Sequence, residues 1–528
     1  MSSQPTWAQF CSAYHVIEET AMALDCARFD PGDYPARMAE PMRAAFDEMA
    51  RLESGAVANP DEHRMVGHYW LRNPDLAPDP AIADAIRTTR DRVVQLADDI
   101  RTGRLAAPDG GRFEQLFVAG IGGSALGPQL LLDALVDPEE SIKAFFFDNT
   151  DPDGYDRILA AASKPPARTL TLVISKSGTT PETRNAMREI QHAYARCDVA
   201  FARCAVAITG EGSALHQQSR DEGWLAALPM WDWVGGRTSV TSAVGLLPAA
   251  LCGVDVNALL DGARRMDAVT RRPHVEDNPA ALLALIWHLS AKQHGRADMV
   301  VIPYRDRLSL FARYLQQLVM ESLGKGCHRN GQQAAEGLTV YGNKGSTDQH
   351  AYVQQLREGM HNFFAVFVDV LADQRSHTVE VEPGATSDDY LSGFLLGTRA
   401  ALFENARQSV TITLDAINAE SMGALIALFE RTVGLYASMV DINAYHQPGV
   451  EAGKKAAGKV IALQPKVLEV LRSHRSDPMS ADAIARAVGD ETAAECVFKM
   501  CDRWSCRRRA GVHRVGARHP AKARFVID

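Results

Sequence analysis

The chain has 528 residues, 46% of them hydrophobic and 23% charged, an ordinary globular composition with length for two to four domains. A net charge of −9 excludes a molecule that is basic throughout, so an anionic ligand needs a local positive site. Nine scattered cysteines without a CxxC pair read as free thiols in a reducing compartment, and no run nears the ~20 apolar residues of a membrane span.

Residues 1–112 are rich in Ala, Arg, Asp and Glu at helical spacing. They predict several helices, broken at Pro31-Gly32, Pro74, Pro78 and Pro80, that cap the sheet to come. The N-terminus has no basic stretch followed by an apolar one, so no secretory signal is expected. In 113–275 the pattern changes. Short apolar strands are predicted at 116–119, 144–147, 169–175 and 205–208, separated by helical stretches such as 128–135. Strands alternating with helices predict an α/β fold with a doubly wound parallel sheet, whose ligands sit beyond the strand ends near a switch point. Residues 276–463 predict a second unit of the same kind. Its strands fall at 299–303, 362–371 and 410–414, with helices at 308–322 and 421–440.

The last stretch, 464–528, reads as a separate α+β appendage. Helices at 466–471, 481–488 and 491–504 precede a hairpin of 512–515 and 524–527, an arrangement that resembles a winged helix. From residue 471 onward there are 12 Lys and Arg against 7 Asp and Glu, a local charge of +5. A packing appendage is the plain expectation, and nucleic acid is not expected as a partner. Cys496, Cys501 and Cys506 recur every five residues, which does not line one helix face, so no metal site is expected there.

Six short motifs carry polar chemistry. Gly120-Ile121-Gly122-Gly123-Ser124-Ala125-Leu126-Gly127 lies between a strand and a helix, where backbone N–H groups can approach an anion. Alone, this string also fits a dinucleotide loop, with Asp148 as a ribose ligand, so a nicotinamide enzyme is a rival reading. Ser175-Lys176-Ser177-Gly178-Thr179-Thr180-Pro181-Glu182-Thr183 again joins a strand to a helix. Thr180 suits the N-cap and Pro181 the first helical position, and the hydroxyls with one Lys form a cradle for a phosphate monoester. In 231–239, paired glycines precede Arg237, a fixed cation suited to a developing oxyanion. Gln317 and Glu321, four apart, are expected on one helix face, with Glu321 as a candidate general base. His350 follows Gly345-Ser346-Thr347-Asp348-Gln349, and His is the side chain best suited to proton transfer near neutrality. Gln447-Pro448-Gly449-Val450-Glu451-Ala452-Gly453-Lys454 completes the set.

In their order and identity these strings resemble the phosphoglucose isomerase family, in a divergent bacterial branch, over roughly residues 115–460. The stretches 279–287 and 404–409 share the likeness. The resemblance implies two sugar-isomerase subdomains and interconversion of glucose 6-phosphate and fructose 6-phosphate through a cis-enediolate, in glycolysis and gluconeogenesis. It implies no cofactor and no metal, and a cytoplasmic homodimer. Gly123, Ser124, Ser175, Ser177, Thr180 and the backbone of Lys176 would bind the substrate phosphate, while Gln317 and Gln447 would position the sugar. By the same resemblance His350, supplied by the neighbouring subunit and helped by Lys454, opens the ring. Glu321 carries the proton between C2 and C1, and Arg237 stabilises the enediolate.

This sequence departs from the family pattern in three places. Residues 344–349 replace the family's usual approach to the histidine, Gly178 and Pro181 stand where bulkier or more polar residues are common, and 464–528 lies outside the common core. The second departure is read as shaping substrate preference, toward mannose 6-phosphate as well. A sugar-phosphate sensor that binds DNA through the basic tail is the non-enzymatic rival, and the joint presence of Glu321, Arg237 and His350 argues against it.

Overall fold

The computed structural model describes residues 4–29, 31–137, 142–373 and 377–527. Five parallel strands form the first sheet, in the spatial order Lys143–Phe147, Gln115–Ala119, Thr169–Ile174, Ala205–Thr209, Ala226–Pro229. The three central strands are buried along their whole length, which is why they read as unbroken apolar runs instead of alternations. From Gln115–Ala119 the chain moves to one side, to Lys143–Phe147, and then crosses to Thr169–Ile174 on the other. That reversal is a switch point, and the loops that follow Ala119 and Ile174 flank it.

The second sheet has six strands, in the order Tyr14–Ile17, Met22–Asp25, Ser409–Ala416, Phe363–Ala372, Asp298–Pro303, Thr339–Tyr341. The last four are parallel. Met22–Asp25 runs antiparallel to Ser409–Ala416, with Leu24 opposite Ile412.

This corrects the all-helical reading of the N-terminal region, which does more than cap. Its hairpin, turned at Glu18–Thr20 and by Ala21 with φ 51°, extends the second sheet at its edge. Strands of four residues are too short to show a period of two against a helical background.

Between the sheets' flanking layers runs the helix Ala419–Met439, buried from Ser421 to Ala437, which packs on Val256–Thr270 and Pro279–His288. Burial on all sides explains its lack of a polar face. A buried ionic cluster joins the N-terminal region to this core. Arg72 Nε meets Asp267 at 2.6 Å and Arg72 Nη1 meets Glu430 at 2.5 Å, while Glu53 bonds Arg431 and, at 2.8 Å, Arg271. Each charge is tolerable without water only because the others are present.

The chain divides into two compact units, Met1–His446 and Gln447–Asp528. The second contains the helices Pro448–Ser473, Ala481–Val488 and Ala494–Arg507 and the antiparallel pair Val512–Val515 and Arg524–Ile527. Its own core includes Val467, Leu471, Ile484, Val497, Trp504 and Phe525. The expected boundary at 464 falls inside the first of these helices, which continues through Pro465. Cys501 is buried and Cys506 exposed, and no disulfide links any of the nine cysteines. Among the described residues no helix is long and apolar enough to cross a membrane.

Candidate active site

The crevice at the switch point of the first sheet is built by three loops and one irregular turn. The first loop leaves the strand at Ala119, makes a short turn at Gly122–Ser124 and enters the helix Leu126–Leu135. Gly122 has φ +59°, and a Cβ there would stand 3.1 Å from Gln317 Nε2. A Cβ on Gly123 would fall 1.9 Å from the carbonyl oxygen of Gly236. Only a glycine at 123 lets the first loop touch the 231–239 loop backbone to backbone.

In the second loop Ser175 is buried at the strand end. Its Oγ donates to Thr180 Oγ1 at 3.1 Å and accepts from the Gly178 N–H at 3.2 Å. Ser177 Oγ accepts from the Thr179 N–H at 3.2 Å. The helix Pro181–Ala195 starts at Pro181 with Thr180 at the N-cap position, as the sequence predicts, yet the Thr180 hydroxyl bonds Ser175 and not the helix. Lys176 Nζ donates to the carbonyls of Asp232 at 3.0 Å and Val234 at 3.1 Å, tying the second loop to the third. Burial lowers the Lys176 pKa, and Asp232 opposes that shift.

Arg237, 5% exposed, is the hub of the third loop. Its Nε donates to Ser322 Oγ at 2.8 Å and its Nη2 to the carbonyls of Ala444 at 2.7 Å and His446 at 3.0 Å. Nη1 faces Glu321 Oε2 at 3.2 Å. Burial draws the guanidinium pKa down, and the Glu321 carboxylate acts against that.

Glu321 does not sit on a regular α-helix. The α-helical turn Phe311–Leu315 opens into a wider π turn over Gln316–Glu321. Simple i, i+4 stacking of Gln317 on Glu321 is therefore not what aligns them. Gln317 turns toward Gly122, while the Glu321 carboxylate, still 20% exposed, turns toward Arg237. Hydroxyl and amide donors suited to a small anion thus lie beside a carboxylate and a fixed guanidinium.

The sequence model described as phosphoglucose isomerase matches residues 38–402 and, in a second stretch, 360–480. The chain belongs to the phosphoglucose isomerase family. It is 54% identical over 501 residues to the glucose-6-phosphate isomerase of Citrifermentans bemidjiense, covering 95% of this chain and 94% of that one. With the glucose-6-phosphate isomerase of Nostoc sp. it shares 52% over 529 residues, the whole of both chains. Among solved structures, a glucose-6-phosphate isomerase from Chlamydia trachomatis superposes with a TM-score of 0.79 at 26% identity, covering 87% of this chain and 92% of that one.

Of the residues singled out by resemblance to phosphoglucose isomerases, Gly123, Lys176, Arg237, Gln317 and Glu321 are drawn together by the contacts above, with Ser175, Ser177 and Thr180 in the adjoining loop. Ser124 closes the first turn, half-buried. His350 stands apart. It is exposed, on the turn Thr347–His350 that follows the edge strand of the second sheet. Asp348 holds that turn, accepting from the Asn343 N–H at 2.8 Å and from the Tyr352 hydroxyl. Gln447 and the exposed Lys454 belong to the second compact unit. Gly178 has a packing reason: with φ +69°, its Cβ would fall 2.4 Å from the Leu215 nitrogen.

The sequence reading overlooked three features of this phosphoglucose isomerase fold. Ser322, next to Glu321, accepts from Arg237 Nε and orients it. The carbonyls of Ala444 and His446 anchor the same guanidinium. Lys325, 6% exposed, donates from Nζ to the Glu321 carbonyl at 2.7 Å and the His446 carbonyl at 2.9 Å. Only Lys325 had a sequence signal, as the first charged residue after Glu321.

Proposed function

We propose that this chain interconverts glucose 6-phosphate and fructose 6-phosphate with Glu321 as the carbon base. The observation that carries the assignment is the Glu321 carboxylate, partly open, 3.2 Å from the buried Arg237 guanidinium beside the hydroxyl-rich 175–180 loop. The substrate phosphate binds the hydroxyls of Ser124, Ser175, Ser177 and Thr180 and the Lys176 amide, with Gly123 holding the first loop against the 231–239 loop beside it. Gln317 and Gln447 orient the sugar. His350, with Lys454, moves the proton that opens the ring.

Glu321 then removes the proton from C2 while the C1 oxygen is protonated, giving a cis-enediol. Negative charge that builds on oxygen in this step is met by Arg237, whose charge is fixed in advance. Glu321 returns its proton to C1, the C2 hydroxyl loses one, and the ketose results. The same carboxylate serves both carbons because they lie on one face of the intermediate. No electrons leave the sugar, so the step balances without a second substrate.

His350 comes from a second copy of the chain in this proposal, so the working unit is a homodimer. Support comes from the surface around it. Gln349 donates to the Phe394 carbonyl at 3.1 Å, so the His350 turn lies against the helix Ser387–Glu404. That helix exposes Tyr390, Phe394 and Leu396, and the segment before it exposes Leu371, Val379 and Val381, apolar surface suited to a partner. The free cysteines fit the reducing cytoplasm, where the reaction would serve glycolysis and gluconeogenesis.

The test is conversion of fructose 6-phosphate to glucose 6-phosphate by the purified chain, read through a coupled dehydrogenase. Turnover is expected without any added cofactor for the chain itself. Glu321→Gln should lower kcat by roughly 100- to 10,000-fold with little change in KM. A folded wild-type chain that turns over no sugar phosphate would overturn the reading.

A further inference from the structure

Lys325 is a buried cation that the mechanism above does not use. It begins the short strand Lys325–Cys327, just after the π turn that ends at Glu321. Among the described residues its ammonium has no carboxylate within ion-pair distance. It donates instead to two backbone carbonyls, Glu321 at 2.7 Å and His446 at 2.9 Å. The His446 carbonyl also accepts from Arg237 Nη2 at 3.0 Å. The Glu321 backbone, Lys325, the 444–446 segment and Arg237 therefore form one closed circuit, and its last link is the 3.2 Å approach of Arg237 to the Glu321 carboxylate.

We infer that Lys325 is a positioning residue for proton transfer: by tying the backbone of Glu321 to the segment that anchors Arg237, it fixes base and cation in one register. The inference rests on the proposed role of Glu321. A π turn is wider and less self-supporting than an α-helix, so the base at its end needs an external tie. Misplacing a reacting group by about 1 Å costs on the order of 100-fold in rate. The second cation has an electrostatic use as well. A sugar phosphate carries negative charge into the crevice, and Lys325 with Arg237 offsets it beside the Glu321 carboxylate.

The groups that face Lys325 are Arg237, Glu321, Asp61 and the half-buried His446. Burial, and then Arg237, pull the Lys325 pKa down to about 8. Charge is present below that value and lost above it, so kcat/KM, which follows the free chain, is expected to decline as pH rises through it.

The experiment compares the full-length wild type with Lys325→Met in kcat, KM, melting temperature and the primary isotope effect on glucose 6-phosphate deuterated at C2. Expected for Lys325→Met are a kcat about 100-fold lower, a KM within about threefold, a larger isotope effect and no alkaline decline of kcat/KM near pH 8. A folded Lys325→Met with kcat within about threefold of wild type overturns the inference, as does a lower kcat with an unchanged isotope effect. Should Lys325→Met fail to fold, Lys325→Gln decides, since its polar side chain is one atom too short to bridge the Glu321 and His446 carbonyls and carries no charge. It should turn over slowly with a raised isotope effect, and wild-type kcat with the alkaline decline intact would overturn the inference. Failure of the isomerase reading would show differently, as a wild type with no turnover at all.

Discussion

The two sides of the crevice are made of different materials. On the side of the first sheet, the loops after Ala119 and Ile174 offer glycines, hydroxyls and amides held in place by backbone contacts, such as Gly123 against the Gly236 carbonyl. On the other side, Gln316–Glu321 and the 444–446 segment surround two buried cations, Arg237 and Lys325, and one carboxylate. On the proposed reading, the neutral donors would meet a phosphate group that is the same in the substrate and in the transition state. They lower KM without raising kcat. On the same reading, the ionised groups would meet charge that exists only while the proton is in transit, and so would act on kcat. Kinetic constants should therefore divide along the physical boundary between the two sides.

Arg237→Lys tests the charged side and should have the largest effect. A lysine keeps one positive charge but cannot serve Ser322, the Ala444 and His446 carbonyls and Glu321 together, as the guanidinium does. Loss of a preorganised oxyanion partner predicts a kcat about 100- to 1,000-fold lower, with KM within about threefold. Steady-state kinetics on fructose 6-phosphate checks this. A rise confined to KM would place Arg237 with the binding groups and erase the division.

Ser175→Ala tests the other side. Its hydroxyl bonds Thr180 and the Gly178 amide, so its loss removes one donor and loosens its neighbours. A hydrogen bond to a charged group is worth about 1.5–3 kcal/mol, which predicts a KM raised about 10- to 150-fold. Turnover at saturation should stay within about threefold. Equal losses in kcat would show that the cradle also aligns the sugar.

The neutral side was the more legible in sequence. Glycines and hydroxyls between an apolar run and a helix start announce themselves by composition, and 120–127 and 175–183 lie where their strands predicted. Buried parallel strands such as Thr169–Ile174 are continuous apolar runs, so their positions were readable too. Residue chemistry made Glu321 a candidate base and Arg237 a candidate oxyanion partner, and resemblance joined them in one expected site. What escaped was made by backbone or by irregularity. The Ala444 and His446 carbonyls have no residue signature, because any residue carries a carbonyl. The π turn follows from no periodicity, since its residues count as helical until the turn widens. Met22–Asp25 gains its strand character from Ser409–Ala416, nearly 400 residues away in sequence, and Tyr14–Ile17 pairs on Met22–Asp25 in turn.

His350 belongs to neither side, and that gives the most discriminating of the smaller effects. In one chain it is exposed on the turn Thr347–His350, while Glu321 lies in the crevice. If each site takes its histidine from the other subunit, Glu321→Gln and His350→Ala should each nearly abolish turnover in their own homodimers. A hybrid dimer with one subunit of each kind behaves differently. One of its sites joins the wild-type Glu321 of the second subunit to the wild-type His350 of the first, and the other site has neither. Two affinity tags on co-expressed chains would isolate that hybrid, and its turnover should be about half that of the wild-type dimer. A histidine acting within its own chain would leave one lesion in each site and a hybrid as inactive as its parents, so a dead hybrid would return His350 to the crevice of its own subunit.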